Sequence, residues 1–392
     1  MPRALLILLL CTLLCGCEEA NLSRVETEHP CRDCTRMVFG GDLDYGNSYM
    51  KWEVEAGRED ILESRGHDYG LEKLAPLLRG ADVVVVNLET PLTDIPESPW
   101  AGQKHYIHYN HPVRAPASMK RHNIGAVSLA NNHALDYGVP GLEQTFTALA
   151  REGIAWFGAG MNEAEAARPL LYRAATGNDT VTVLVAGGFE YARWYDRAFH
   201  FFARDDTAGA NNWTIDRAAA DVRRLRGQYP DAFIITFPHW GKNYWWKIRR
   251  QRAMAQAMID AGADLILGHG AHLIQEVESY RGRWIVYSLG NLHFNSPGRY
   301  RLFGKDPYSF VAALDVDAGT RAFRLRLYPI VSDNLITDYQ PRPVEEGECD
   351  TVERLLLRQA ALPRELRRHM GRGHDQYGLY FELDVSPATP GR

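Results

Sequence analysis

The segment Ala130-Asn131-Asn132-His133-Ala134-Leu135-Asp136-Tyr137-Gly138 brings amide, imidazole and carboxylate groups into one turn. An apolar run, Gly125–Leu129, precedes it and reads as a buried strand. A helical pattern from Val139 to Glu152 follows. In α/β folds the carboxyl end of a strand is where ligands and chemistry gather. Four more strand exits have the same character: Gly40-Gly41-Asp42-Leu43-Asp44, Val86-Asn87-Leu88-Glu89, Phe237-Pro238-His239-Trp240-Gly241 and Leu267-Gly268-His269-Gly270-Ala271-His272. The five exits offer Asp42, Asp44, Glu89, Asn132, His133, His239, His269 and His272, with no thiolate among them. Carboxylate with imidazole suits Mn, Fe or Zn in a hydrolytic site, whereas thiolates favour structural Zn or Fe–S. A carboxylate or Asn oxygen can bridge two ions, and paired ions roughly 3.5–4 Å apart clamp the attacking and leaving oxygens of a displacement. Each residue alone has an ordinary reading: Asp42 after two glycines makes an Asx turn, and a single His at a strand end is a hydrogen-bonded core side chain. Five such exits in one chain argue for one clustered site.

The elements that must position these exits alternate. Apolar strands begin near Met37, Val83, Ala126, Val181, Phe233 and Leu265, and helices are predicted at Tyr69–Leu78, Val139–Glu152, Ile215–Tyr229 and Arg249–Ala261. Strands then crowd together at Arg283–Ser288, Ser309–Val316, Ala322–Val331 and Tyr377–Val385. The alternation in Phe323-Arg324-Leu325-Arg326-Leu327 marks half-exposed antiparallel strands. The order fits an α/β class with two packed mixed β-sheets flanked by helices, an α-β-β-α sandwich.

At this point the chain resembles the CapA family, the poly-gamma-glutamate capsule biosynthesis proteins, which looks like a branch of the calcineurin-like metallophosphoesterase superfamily. The resemblance runs from about Met37 to Phe294. It rests on Gly41-Asp42, Asn87-Leu88-Glu89-Thr90-Pro91-Leu92-Thr93, Lys104, the Ala130 to Gly138 segment, His239-Trp240-Gly241, Gly268-His269 with His272-Leu273-Ile274-Gln275, and Tyr287-Ser288-Leu289-Gly290-Asn291. It implies a metallophosphoesterase-like fold and one or two divalent ions (Mn, Fe or Zn) held by Asp42, Glu89, Asn132, His133, His239, His269 and His272. His133 and His239 are either ligands or a general acid or electrophile, and Asp136 orients His133 or its turn. The substrate-facing candidates are Lys104, which can hold an anionic group, Trp240 and Asn291. The chain departs from the family pattern in three places. Asp44 stands where the family has Met, Gly270 replaces an imidazole in the Gly-His-x-x-His frame, and Lys242-Asn243-Tyr244 follows His-Trp-Gly where an acid is usual.

Composition sets the outer bounds. With 392 residues and 45% hydrophobic side chains there is ample core for one large domain or two small ones. The net charge of −5 gives no indication of nucleic acid as partner. Arg3 followed by the apolar Ala4–Leu14 reads as a secretion signal, too short to span a bilayer. Leu14-Cys15-Gly16-Cys17 resembles the bacterial lipobox, which implies diacylglycerol on Cys17. Of the remaining cysteines, Cys31 and Cys34 have the spacing of a local disulfide, which leaves Cys349. The expected division is 1–17 signal peptide and lipobox, 18–35 tether, 36–340 the CapA-like metallophosphoesterase domain and 341–392 a C-terminal extension packing on it. Six arginines between Arg354 and Arg372 form a basic helical stretch, either solvated or facing anionic polymer or lipid headgroups.

The expected protein is a lipid-anchored, extracytoplasmic lipoprotein of the bacterial cell envelope. It would act in synthesis, export or trimming of an anionic polymer of the poly-gamma-glutamate type. Its partners would be that polymer or a phosphate-containing substrate, together with a membrane synthase complex. Two other readings stand beside the hydrolase: a non-catalytic binding or assembly subunit whose site has drifted, favoured by Lys242 and Gly270, and a phosphoesterase or nucleotidase unrelated to capsule.

Overall fold

The computed structural model describes residues 25–26 and 34–387. The expected lipidation at Cys17 and the Cys31 end of a Cys31–Cys34 disulfide lie outside the described residues.

In chain order the longer strands are β1 (Thr35–Asp44), β2 (Val83–Leu88), β3 (Ile124–Ser128), β4 (Ala155–Phe157), β5 (Leu170–Thr176), β6 (Asp179–Glu190), β7 (Phe233–His239) and β8 (Leu265–Leu267). They continue with β9 (Val277–Tyr280), β10 (Arg283–Val286), β11 (Asn291–Phe294), β12 (Tyr308–Asp317), β13 (Ala322–Val331), β14 (Gly371–Asp375) and β15 (Gly378–Asp384). One sheet runs β14-β15-β13-β12-β1-β2-β3-β4, with β11 added beside the end of β1. The other runs β6-β7-β8-β10-β9, with β5 antiparallel to β6. In the first sheet β1, β2 and β3 are parallel; in the second, β6, β7 and β8 are.

The sequence explains why the sheets stack. Along β1, Met37 and Phe39 point into a core shared with Val183, Val185, Phe233 and Ile235 of the second sheet. Val38, between them, faces the opposite side and packs with Leu142, Leu149 and Met119 from helices. A parallel strand covered on both faces needs apolar residues at consecutive positions, which is what Met37-Val38-Phe39 and Val83–Val86 supply. Each such side chain contributes about 1.5–3 kcal/mol on burial. The second sheet is covered outside by two helices, α4 (Ile215–Gln228) and α5 (Arg249–Asp260). Their Val222, Met254 and Met258 pack on Leu184, Ile234 and Ile266. The first sheet is covered by α1 (Asn47–Glu55), α2 (Arg114–Arg121) and α3 (Gly138–Arg151), the layers expected from the strand and helix order. Thr214 caps α4, its side chain accepting from the Arg217 amide at 3.2 Å.

The C-terminal segment contributes β14 and β15, and β15 pairs antiparallel with β13. Away from the strand exits the first sheet holds a buried ion pair, Arg36 Nε to Asp315 Oδ1 at 2.6 Å. Among the described residues no helix is long and apolar enough to cross a membrane.

Candidate metal centre

The carboxyl ends of parallel strands from both sheets meet at one edge, and there the polar exits come together. The register between β1 and β2 shifts between Phe39 and Asp42. Such a bulge re-aims the following side chain. Gly41 makes the shift feasible: a Cβ there would lie 1.8 Å from the Gly290 carbonyl oxygen, to which Asp42 donates its amide at 3.0 Å.

Asp42 is fully buried. Its Oδ1 lies 3.2 Å from His269 Nδ1 and its Oδ2 3.2 Å from His272 Nδ1. It accepts from Asn87 Nδ2 at 2.9 Å and from the Gly270 amide at 3.1 and 3.0 Å. Gly270, where the family resemblance leads one to expect an imidazole, therefore supplies an amide donor instead. Its φ of +95° and a would-be Cβ 2.9 Å from His239 Cε1 both require glycine.

Glu89 lies opposite. Its Oε1 is 4.0 Å from His133 Nε2, 3.8 Å from His239 Nε2 and 3.9 Å from His272 Nε2. These separations are too long for hydrogen bonds. They fall inside the span of about 4.2 Å that two ligands of one ion can have when each bond is about 2.1 Å. Asp42 with His239 and His269, and Asp42 with Glu89 and His272, each bring three ligand atoms within 4.8 Å of one another. Among the described residues the buried Asn132 Oδ1 has no hydrogen-bond partner. This all-oxygen-and-nitrogen donor set of buried carboxylates and imidazoles fits a divalent metal ion.

The electrostatics show how strongly these buried groups act on one another. Burial pushes the Glu89 carboxyl well above its ordinary value, and the neighbouring Asp42 charge pushes it further. Burial also opposes ionisation of Asp42, but its hydrogen bonds to His269 and His272 prevail and hold the carboxyl well below the usual range. His133 and His239 are driven well below the ordinary imidazole value, first by burial and then by the neighbouring imidazoles and, for His133, the Lys104 ammonium. Both are thus neutral, the form in which imidazole ligates.

Behind the cluster, His133 Nδ1 meets Asp136 Oδ2 at 2.7 Å, leaving Nε2 to face Glu89. Asp136 also accepts the His108 amide at 2.7 Å and the Lys104 ammonium at 2.5 Å. Burial raises the Asp136 carboxyl and lowers the Lys104 ammonium from their ordinary values, and their short contact and the His108 amide act in the opposite sense. Asn131 fixes the turn: it donates to Asn87 Oδ1 at 3.0 Å and accepts the His133 amide at 3.0 Å. On the other side Asn291 Oδ1 meets His272 Nδ1 at 2.9 Å.

Asp42, Glu89, His133, His239, His269 and His272 are thus brought together, Asn291 holding His272 and Asp136 holding His133, while Asn132, next to His133 in the chain, donates to the Tyr195 hydroxyl at 3.4 Å. Of the remaining candidates, Lys104 sits directly behind His133, its Nζ 3.1 Å from Nδ1. Lys104 Nζ is buried and donates to Asp136 and to the Tyr106 carbonyl. Trp240 turns away: its indole donates to the Tyr287 carbonyl at 2.7 Å and stacks on Tyr287 in the helix-covered core. Asp44 accepts the Gly46 amide, and its Oδ2 lies 3.1 Å from His108 Nδ1, in ion contact though off hydrogen-bond geometry. Lys242 is exposed. Asn87, Asn131 and His108 received no role from the sequence. The two asparagines could have been noticed because each precedes a ligand candidate by two residues, Asn87 before Glu89 and Asn131 before His133.

Residues 36–296 match the family described as bacterial capsule synthesis protein PGA_cap. The PGA biosynthesis protein CapA of Bacillus subtilis (strain 168) is 30% identical over 264 residues, covering 67% of this chain and 64% of that protein. The capsule biosynthesis protein CapA of Bacillus anthracis is 27% identical over 251 residues, covering 63% of this chain and 59% of that protein. The chain thus spans less than two thirds of the length of either. A probable polyglutamine synthesis accessory protein of Mycobacterium tuberculosis is 29% identical over 360 residues, covering 83% of this chain and 92% of that protein. A solved phosphatase structure from Mycoplasma pneumoniae is a slight likeness, 12% identical with a TM-score of 0.39, covering 78% of this chain and 96% of that one.

Proposed function

The chain belongs to the bacterial capsule synthesis protein PGA_cap family, and on that footing we propose that it is a metal-dependent hydrolase serving an anionic capsule polymer. The observation that carries the proposal is the convergence of three imidazole Nε2 atoms on Glu89 Oε1, at 3.8–4.0 Å, opposite a buried Asp42. Asp42, Glu89, Asn132, His133, His239, His269 and His272 would hold one or two divalent ions. A bound cation supplies Lewis-acid polarisation of the target bond and an acidified water.

The chain's own residues do the rest. Asp136 takes the Nδ1 side of the His133 ring, which leaves the lone pair of Nε2 directed to the cluster as a ligand atom. Asn291 sets His272, and Asn87 ties Asp42 and Asn131 into one network. The fold buries the ligands almost completely, and this excludes bulk water and strengthens each charge interaction.

The substrate would carry a hydrolysable ester or amide bond close to negative charge. Poly-gamma-glutamate fits this description and the names of the relatives. Synthesis, export and trimming are all compatible roles, with a membrane synthase as partner. Lipidation at Cys17 would place the protein at the cell envelope; Cys17→Ala should release it from the membrane fraction, and unchanged membrane association would remove the anchor from the proposal. To test turnover, the metal-loaded protein is presented with poly-gamma-glutamate, phosphomonoesters, phosphodiesters and nucleotides. Cleavage of one class, lost in His239→Ala, is expected. Polymer binding without turnover for any metal would instead favour the non-catalytic assembly subunit that Gly270 and Lys242 first suggested.

A further inference from the structure

Lys104 is occupied within the protein, so the cation that meets a substrate anion must be another residue. Arg299 is half-buried and sits one residue before Tyr300, which contacts His272. Its contacts are aromatic: the guanidinium lies 5.0 Å from the Tyr106 ring centroid, and NH1 donates to the Tyr106 hydroxyl at 3.3 Å. Among the described residues no carboxylate lies within ion-pair distance of it. Arg36, Arg226, Arg326 and Arg372, by contrast, are each paired with a carboxylate.

Tyr300, which follows Arg299, donates to the His272 carbonyl at 2.7 Å. The Arg299 charge also acts on Tyr244, whose ring lies 5.4 Å from His272, and on Tyr49, whose ring lies 4.9 Å from His108. Tyr106, on which it rests, belongs to the loop that delivers Lys104 and His108 to Asp136. A planar guanidinium held by ring stacking keeps its N–H fork available for two oxygens of a carboxylate or phosphate.

We propose that Arg299 is the substrate-anion recognition residue, binding an oxyanion of the substrate beside the metal cluster. This rests on the hydrolase reading for its purpose but not for its test. Inorganic phosphate, and separately a glutamate oligomer, are titrated by calorimetry into the full-length chain and its Arg299→Ala and Arg299→Lys variants, with metal content measured on each. Arg299→Ala should weaken one of the two anions about tenfold or more at unchanged metal content. Arg299→Lys, with charge but no fork, should fall between. Loss for phosphate identifies a phosphoester substrate, and loss for the oligomer a polymer carboxylate. If Arg299→Ala does not fold, Arg299→Gln carries the same expectation. Equal binding of both anions by wild type and variant would overturn the assignment, as would a wild type that binds neither. A wild type without metal whose anion binding still depends on Arg299 would sustain this proposal while the hydrolase reading falls.

Discussion

At the scale of single residues, the molecule spends burial to control protonation. His133 and His239 are kept neutral next to carboxylates by being removed from water. The same principle acts on His67 and His293, which lie apart from the ligand set, about the buried ring of Tyr45. Burial lowers His67 to about 4 and His293 to about 3, with further lowering from neighbouring cationic groups. Both are depressed relative to an unfolded value of about 6.5. Between those limits the unfolded chain binds more protons than the folded one, so stability is complete above about pH 6.5 and is lost as pH falls. Each histidine should remove up to about 2 kcal/mol by pH 5. Urea midpoints of chelator-treated protein at pH 7.5 and 5 will measure this. A midpoint unchanged over that range would mean that these rings are not held neutral.

At the scale of elements, the site depends on how strands end. Gly270 shows this best, since its backbone both leaves room for His239 and donates to Asp42. Gly270→Ala forces a side chain into a left-handed turn against the His239 ring. It should cost on the order of 1–3 kcal/mol and also lower metal content; thermal melting together with elemental analysis checks both, and wild-type values for each would contradict the account. The same elements show what could be read beforehand. The long apolar strands and the helices Gly138–Arg151, Ile215–Gln228 and Arg249–Asp260 were legible because their side chains repeat at strand or helix period over many residues. The predicted helix over Tyr69–Leu78 is instead a 3-10 turn at Tyr69–Leu71 followed by a short helix at Ala75–Arg79, because Pro76 cannot continue a helix from before it. The strand Asn291–Phe294 was invisible, because four residues carry no period and only pairing with Asp42–Asp44 makes them a strand. The ligand candidates were readable as polar residues at strand exits. The Asn87–Asn131 link and the Lys104–Asp136 pair were not, since both depend on distant segments meeting in space.

At the scale of the whole molecule, two sheets each deliver half of one centre. Asp42, Glu89, Asn132 and His133 come from the exits of the first sheet, and His239, His269 and His272 from those of the second. The sandwich core that holds the sheets together is therefore what sets the distance between Glu89 and the imidazoles. The central claim is that this edge binds metal. Elemental analysis of the full-length chain, purified without chelator, alongside Asp42→Ala and His269→Ala, tests it most directly. One or two equivalents of Mn, Fe or Zn in the wild type, lost in both folded variants, is the predicted result. A wild type that takes up no divalent ion even from excess, or variants with undiminished stoichiometry, would contradict it.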